Sequence, residues 1–403
     1  VDDLTFTLIN EGTEYAVTNS ARSATGSLTI PATYEGLPVT EIGAEAFEQS
    51  QLTAIELPAG LRSIGEWAFY KTNISAIDLP SSLRTIGAHA FDASALESIS
   101  LPAGLTTLGN NAFNFCLALT GSVTIPSGIT QIPDGLFFET ALTEVIFHDG
   151  VTSIGASAFF GTQLKSISLP ADLTALGSSA FYQCSALTGS VTIPSGVTKI
   201  PEYLFDETAL TEVIFHDGIT SIELWAFSGT QLTSLRLPAS LTALGDSAFR
   251  DTYNLAEVLF EGAAPSLGAY VFYSAGRDVA GGTQFYIYDT YESSYQNSAD
   301  WSGYNFAVLA EPNEPMLEAF VLSTSLDASS TVFSIHSHGE PSDASASVLV
   351  QHRSSLTAGD WTAVASADVT ESRDSDSGVV TRSLTLSPSA EGGFYRLHFG
   401  GSE

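Results

Sequence analysis

The sequence predicts a repeat solenoid, a right-handed coil of stacked turns that share one long parallel β-sheet, followed by a small all-β domain. Three observations lead to this prediction. A phenylalanine recurs every 22 to 24 residues from position 47 to position 272. Most copies carry Ile-Gly or Leu-Gly just before it, with the glycine four residues ahead of the ring. A short alternating apolar segment closed by proline comes before that pair, as expected for a strand that ends in a turn.

The phenylalanine period defines about 11 turns. The recurring residues are Phe47, Phe69, Phe91, Phe113, Phe137, Phe159, Phe181, Phe205, Phe227, Phe249 and Phe272. A longer period also exists, because residues 116–183 and 184–251 match at about three-quarters of their positions. A block of three turns has therefore been duplicated.

The expected structure of each turn follows from the chemistry of its residues. In residues 52–58, Leu52, Ile55 and Leu57 form a strand-length segment with one apolar side, which Pro58 closes. One such unit cannot bury its leucine and phenylalanine side alone, whereas stacked units cover one another. We expect the phenylalanines to line up inside the stack. The glycine of the Ile-Gly pair is expected where a Cβ atom would obstruct the backbone.

The repeated phrase resembles a known family. Leu-x-x-Ile-x-Leu-Pro-x-x-Leu-x-x-Ile-Gly-x-x-Ala-Phe is similar to the leucine-rich repeat of BspA-like bacterial surface proteins, from about residue 26 to 309. The resemblance implies an N-terminal cap and first turn over 1–47, repeats over 48–283, and a C-terminal cap and linker over 284–311. In that cap, Tyr291, Tyr295 and Trp301 are expected to cover the open end of the core.

The last part of the chain has a different pattern. After Leu309 the period stops, and a polar Pro-containing linker leads to alternating segments at 319–325, 331–338, 345–353, 361–369, 379–387 and 393–400. Ser, Asp and Gly turns separate these segments. We therefore predict a β-sandwich of the immunoglobulin-like or fibronectin-like kind over 312–403. The placement of Trp361 and of the closing Phe394-Tyr395-Arg396 resembles accessory modules of large secreted bacterial proteins.

Composition limits the class of partner. The 403 residues hold 13 Lys and Arg against 45 Asp and Glu, a formal net charge of -32. Such a field repels nucleic acid and anionic lipid surfaces. No apolar stretch is long enough to be a transmembrane segment. The chain starts without a leader, so it is either cytosolic or a secreted or cell-surface protein whose signal peptide was removed; composition favours the second. We expect a monomer.

Few residues are candidates for metal binding, acid–base catalysis or disulfide formation. The pairs His148-Asp149 and His216-Asp217 could form a metal or acid–base pair, but each stands where other turns have Pro-x-Gly, which favours a copied turn variant. Cys116 and Cys184 lie three turns apart, about 14 Å at the spacing of parallel strands, too far for a disulfide. We therefore expect two free, buried thiols.

Two further candidates fall in the last domain. Asp374 and Asp376 begin a calcium-like loop that lacks the later ligands, which favours a hairpin turn. His336 and His338 alternate on a strand and could provide half of a metal site, but no third ligand is evident. The chain carries no catalytic or cofactor-binding motif. We predict no catalytic residue, metal or cofactor.

Binding residues are expected at the positions of the repeat whose residue changes from turn to turn. The outward side of the strands is one candidate surface, with Glu56, Asp78, Glu144, Glu212 and Arg236. Tyr203 and Trp225 are the second, because consecutive turns place them two residues before the phenylalanine, where they could form an aromatic platform. That position also holds Glu45, His89, Asn111, Gly135 and Ser157, so we expect it to be exposed and to tolerate any residue.

These observations predict a non-enzymatic binding protein. The family resemblance implies adhesion to host or matrix proteins or to other cells, with the protein ligand held along the solenoid surface. The alternative is a carbohydrate-binding or cell-wall-associated module that uses Tyr203 and Trp225 or the C-terminal domain. Near-identical turns argue against an active site, which needs a unique convergence of groups.

Overall fold

The computed structural model describes residues 4–18 and 23–310, together with the backbone of six strands between residues 331 and 400. The chain divides into two compact units, Val1–Val308 and Leu309–Glu403. The predicted strand at 319–325, the acidic turn of Asp374 and Asp376, and His338 lie outside the described residues, as does the side chain of His336.

The first unit opens with antiparallel strands. Thr5–Ile9 and Glu14–Thr18 pair around a 3-10 helix at Asn10–Gly12, and Glu14–Thr18 then pairs in parallel with Leu37–Ile42. A two-residue turn connects Thr33–Tyr34 to Leu37–Ile42, and both of its residues, Glu35 and Gly36, have positive φ. The hairpin therefore leads directly into the first parallel turn.

Most solenoid turns have the same path: a long strand, a turn that usually contains proline, a two-residue strand, and a segment around the phenylalanine. The long strands are Thr25–Thr29, Gln51–Glu56, Thr120–Thr124, Ala141–Ile146, Thr188–Thr192, Ala209–Ile214, Ser234–Leu237 and Glu257–Phe260. The short strands are Ser63–Ile64, Thr85–Ile86, Thr107–Leu108, Gln131–Ile132, Ser153–Ile154, Ala175–Leu176, Lys199–Ile200, Ser221–Ile222, Ala243–Leu244 and Ser266–Leu267. Successive turns pair in parallel.

The phenylalanines form a continuous column in the core. All eleven are buried, and each ring contacts the next at centroid distances between 5.2 and 5.9 Å. Apolar residues of both strand sets pack around this column. The predicted solenoid is confirmed.

Parallel pairing is spread over more than the one long sheet that the sequence suggested. The long strands form separate sheets of two to four strands, and the two-residue strands form a second series on another side of the coil. Between Gln51–Glu56 and Thr120–Thr124, residues 73–79 and 95–101 have no strand assignment, although Glu97 N–H still donates to Ser75 O at 2.9 Å.

The segment around each phenylalanine is a third ladder with its own geometry. The residues two before and two after the ring have φ between 52° and 68° in every turn. In the turn of Phe69, the N–H groups of Trp67, Phe69 and Lys71 donate to carbonyls of the next turn at 3.0, 2.7 and 2.9 Å. We call the six residues from three before to two after the phenylalanine the left-handed segment.

Glycine is needed where consecutive turns approach. A Cβ atom on Gly109 would lie 2.1 Å from the backbone nitrogen of Ala88 in the preceding turn. The glycines at 65, 87 and 177 meet the same obstruction, at 2.2 to 2.6 Å. The expectation that a Cβ would obstruct the backbone at this position is confirmed.

The C-terminal end of the coil is closed by aromatic residues. Gln284–Tyr288 continues the last sheet, a 3-10 helix at Asp289–Tyr291 and a short α-helix at Glu292–Gln296 follow, and a 3-10 helix at Ala299–Trp301 precedes the strand Phe306–Leu309. Tyr295 and Trp301 are buried, 5.7 and 5.0 Å from the ring of Phe260. Their polar atoms bond to Gly262 O and Pro265 O.

In the second unit, six strands make two antiparallel sheets. Thr331–Ser337, Val380–Leu386 and Asp368–Arg373 form one sheet, and Thr362–Ala363, Ser347–Arg353 and Phe394–Gly400 form the other. Antiparallel pairing is the kind that a sandwich requires. The sandwich itself remains a prediction.

Candidate functional site

The outward side chains of the long strands form the first candidate surface, which we call the strand face. Glu56, Asp78, Glu144 and Glu212 are all exposed on it. Parallel register places Ser122 beside Glu144, so side chains of successive turns align in columns. This alignment makes a continuous surface and not a pocket.

Several charged side chains of the strand face have polar partners or a shifted pKa. Glu56 accepts a hydrogen bond from Thr29 Oγ1 at 2.9 Å. Arg236 is exposed but forms an ion pair with Glu261. Desolvation by the surrounding sheet raises the pKa of the Glu212 carboxyl. Glu144 and Glu212 occupy equivalent positions of the duplicated block, so they present the same carboxylate twice.

Tyr203 and Trp225 lie on a different side of the coil. Each is half-buried in a left-handed segment with φ of 55°. The residues predicted to bind are therefore divided between two surfaces, the strand face and the side formed by the left-handed segments. The structure does not bring them together in one site.

The expectation that this position tolerates any residue is wrong. Both left-handed positions exclude Val, Ile and Thr in all eleven turns, because a branched Cβ is strongly disfavoured at positive φ. Glycine, alanine, serine, amide, acidic and aromatic residues and one lysine fill them. A survey for the missing residue types could have detected this constraint in the sequence.

Replacing Trp225 by valine is therefore expected to lower the free energy of unfolding by about 1–3 kcal/mol, because valine is strained at positive φ. Replacing it by serine should cost less, since Ser157 occupies the equivalent left-handed position of the duplicated block. Urea unfolding of both variants checks this. Equal stability of the two would contradict a backbone constraint.

Both faces of the Trp225 ring have neighbours. Tyr203 of the preceding turn lies 6.3 Å away, nearly parallel, and the guanidinium of Arg250 in the following turn lies 5.0 Å away. A sugar stacks on a free aromatic face. The contacts of Trp225 therefore weaken the case for a carbohydrate platform at Tyr203 and Trp225.

Sequence reasoning missed a second aromatic position, directly after the core phenylalanine. Phe138, Phe160 and Tyr182 occupy it in three consecutive turns, and their rings touch at 4.4 and 4.9 Å. The signal was present as the doublets Phe137-Phe138, Phe159-Phe160 and Phe181-Tyr182. These rings are half-buried, on the same side as Tyr203 and Trp225.

The two His-Asp-Gly sequences are turns. His148 Nε2 lies 3.0 Å from Ile129 O, and Nδ1 accepts from Gly150 N–H at 3.1 Å. His216 makes the same contacts with Val197 O and Gly218. Each imidazole thus uses both nitrogens to hold the backbone, as expected for a copied turn variant. Within the described residues, no three His, Cys, Asp or Glu side chains cluster closely enough to hold a metal ion.

Cys116 and Cys184 are free and buried, as predicted. Each thiol donates to a phenylalanine carbonyl of the preceding turn, Phe91 or Phe159, at 3.0 Å. Eight of the nine other turns have Ser or Thr at this position, and the last has Ala275, so the thiols replace hydroxyls in most of the pattern. Burial raises the pKa of both thiols to about 12.

Thiol labelling at pH 8 should therefore be slow in the native protein and reach two thiols per chain after unreduced unfolding. Reactivity requires the thiolate, which burial disfavours. Mass spectrometry of the alkylated protein measures both numbers. Two thiols labelled rapidly before unfolding, or none afterwards, would contradict the buried, unpaired state.

No helix in the described part of the chain has the length and apolar character needed to cross a bilayer.

Comparison with known proteins points to one repeat family. The model of the BspA type leucine rich repeat region (6 copies) matches residues 40–164 and 152–277, more than half of the chain. No curated protein matches the chain significantly.

Solved structures of bacterial repeat proteins align with the chain. A leucine-rich repeat protein from Bacteroides ovatus ATCC 8483 is 22% identical, with 77% of this chain and 99% of that chain covered and a TM-score of 0.40. A leucine rich cell surface protein from Faecalibacterium prausnitzii A2-165 is 24% identical, with 64% and 86% covered and a TM-score of 0.38. The pneumococcal vaccine antigen PcpA is 19% identical, with 77% and 98% covered and a TM-score of 0.47.

Proposed function

Because the chain belongs to the family of BspA-type leucine-rich repeat proteins, we propose that it is a non-enzymatic binding protein, secreted or displayed at the surface of a bacterium. Its ligand is a protein of a host, a matrix or another cell, and the strand face carries the contact. The residues proposed to determine which ligand it binds are Glu56, Asp78, Glu144, Glu212 and Arg236.

One observation carries the proposal. Parallel register aligns exposed side chains of successive turns, as in the pairs Ser122 with Glu144 and Ser190 with Glu212. A solenoid built in this way offers an extended surface whose side chains change while the backbone stays constant. Few aromatic or arginine anchors interrupt it, so affinity is expected to come from many modest contacts.

Charge reversal on the strand face tests the proposal. Immobilised protein comprising residues 1–403 should retain a protein from an extracellular-matrix extract, and Glu144→Lys with Glu212→Lys should abolish retention. The matched control is Asp149→Lys with Asp217→Lys, which changes the same charge in the same two turns but outside the strand. A strand-face site would be contradicted if the Glu144→Lys, Glu212→Lys variant still retained the protein. It would also be contradicted if the Asp149→Lys, Asp217→Lys control lost retention to the same extent.

A glycan array addresses the carbohydrate alternative. Binding to a glycan that is lost on Trp225→Ala would favour that alternative over the protein ligand. If neither a protein nor a glycan is retained at micromolar concentrations, the proposed binding function fails. Protease treatment of intact cells tests display, since a surface protein should be cleaved without lysis.

A further inference from the structure

A line of aromatic rings from seven turns, with Arg250 in the remaining turn, crosses eight consecutive turns on the side formed by the left-handed segments. We call it the aromatic ridge. Its rings are Phe115, Phe138, Phe160, Tyr182, Tyr203, Trp225, Tyr273 and Tyr270. Neighbouring rings lie between 4.4 and 6.3 Å apart, and Arg250 joins Trp225 to Tyr273 at 5.0 and 5.2 Å.

The aromatic ridge is exposed at its two ends. Phe115, Tyr270 and Tyr273 are 47%, 66% and 54% exposed, and Leu117 beside Phe115 is 66% exposed. Half of the exposed large hydrophobic side chains among the described residues therefore lie on or beside the ridge. The five rings between these two ends are half-buried. Exposed apolar side chains at both ends of a line of partly exposed rings indicate an interaction site.

Carboxylates flank the ridge on both sides. Three turns place an acidic residue at each end of the left-handed segment, and none of these six side chains is buried: Asp134 and Glu139, Glu202 and Glu207, Asp246 and Asp251. Across the left-handed segments of the eight turns, Arg250 is the one Lys or Arg in the sequence. The guanidinium of Arg250 lies on ridge rings, which shows how this surface receives a cation.

We propose that the aromatic ridge is a second interaction surface, which binds an extended basic segment of another protein. This inference rests on the proposed binding function and assigns it an additional surface and a partner chemistry. Apolar side chains of the segment pack on the rings, while its Lys and Arg side chains pair with the flanking carboxylates. An apolar centre with a charged rim is the usual anatomy of a protein interface.

Dimensions and charge select this partner. Eight turns at about 4.8 Å each span about 34 Å, which an extended chain covers with about ten residues. Nucleic acid is repelled by the same carboxylates. A glycan would need free ring faces, but Phe138 and Phe160 turn their faces to one another at 4.4 Å, as Tyr203 and Trp225 do at 6.3 Å.

A labelled decapeptide of alternating Arg and Leu is the first probe, with fluorescence anisotropy as the measurement. We expect binding that weakens as NaCl rises, because the exposed ion pairs are screened. A decapeptide of alternating Glu and Leu should not bind. Equal affinity for the two peptides would overturn the charge argument.

The duplicated block supplies substitutions that the fold already accepts. Phe160→Ser and Trp225→Ser introduce the residues found at the equivalent positions 228 and 157. Together they should weaken peptide binding about tenfold or more, as loss of anchor side chains does. Glu139→Gln with Glu207→Gln should weaken binding and reduce its salt dependence. Unchanged affinity in both double variants would overturn the proposal, provided that thermal unfolding shows them folded.

Glu144→Lys with Glu212→Lys separates this inference from the proposed function. On the strand face, these changes should leave peptide affinity unchanged while they abolish retention of the matrix protein. If the matrix protein is retained through the strand face and the peptide does not bind, the ridge inference fails alone. If strand-face charge reversal also abolishes peptide binding, the peptide reports the strand face and the ridge inference again fails.

Discussion

Replacing Phe159 by alanine is expected to lower the free energy of unfolding of the solenoid by about 3–5 kcal/mol, as for other buried aromatic residues. Phe159 stacks on Phe137 at 5.9 Å and on Phe181 at 5.5 Å, and it meets the edge of Phe147 at 5.8 Å. Its loss opens a cavity between two turns that must also pair through their backbones. The column cannot collapse into that space without breaking the ladder.

Urea unfolding of the full chain measures this change. Leu117→Ser is the control, because Leu117 is exposed and the equivalent position of the duplicated block is Ser185. It should change stability by less than about 0.5 kcal/mol. An effect of Phe159→Ala below about 1 kcal/mol would contradict an interior column that resists local relaxation.

Replacing Asp206 by asparagine is expected to stabilise the protein above pH 7 by up to about 4 kcal/mol, from about three pKa units at about 1.4 kcal/mol each. Asp206 is buried, and its Oδ1 atom has no hydrogen-bond partner within the described residues. Desolvation raises the pKa of its carboxyl from 3.8 to about 7, while Ser228 bonds oppose the rise and Glu207 adds to it. The wild-type protein therefore buries an unfavourable charge at high pH.

The pH dependence has a defined sign. Between about pH 4 and pH 7 the folded state binds the Asp206 proton and the unfolded chain releases it, so this contribution to stability falls as pH rises. The gain in unfolding free energy of Asp206→Asn over the wild type should therefore increase from pH 4 to pH 7, and it should be absent below pH 4. Glu202→Gln is the control, because Glu202 is an exposed carboxyl of the same turn. A difference that stays constant from pH 4 to pH 8 would contradict a raised pKa.

Much of the fold was predictable because repetition amplifies weak signals. A single Leu-x-x-Ile-x-Leu segment is ambiguous, but copies spaced by 22 to 24 residues leave stacking as the way to bury Leu52 and Phe69. The unpaired cysteines followed from the same spacing. The BspA-type resemblance agreed with the residue-level reasoning and was confirmed by the family match.

The side formed by the left-handed segments was not predictable by strand or helix periodicity. Its backbone alternates between hands, so neither a period of 2 nor a period of 3.6 marks it. The sequence carried two other signals for this side. Val, Ile and Thr are missing at two positions per turn, and aromatic doublets such as Phe159-Phe160 are present. Contacts between Trp225 and Arg250 join residues 25 apart, which becomes visible only when the turns are stacked.

The ladder of left-handed segments also gives the solenoid an electrical direction. In a parallel β-sheet, successive N–H groups of a strand donate alternately to the two neighbouring strands. Here the N–H groups of Trp67, Phe69 and Lys71 donate to the following turn, whereas those of Ala68 and Tyr70 donate within their own turn and not to the preceding one. Peptide dipoles aligned in this way add, as they do in a helix, but with the positive end toward the carboxyl terminus. The last such segment, at residues 269–274, stands at that positive end, so at this edge the aligned backbone dipoles partly offset the negative field of the 45 acidic residues.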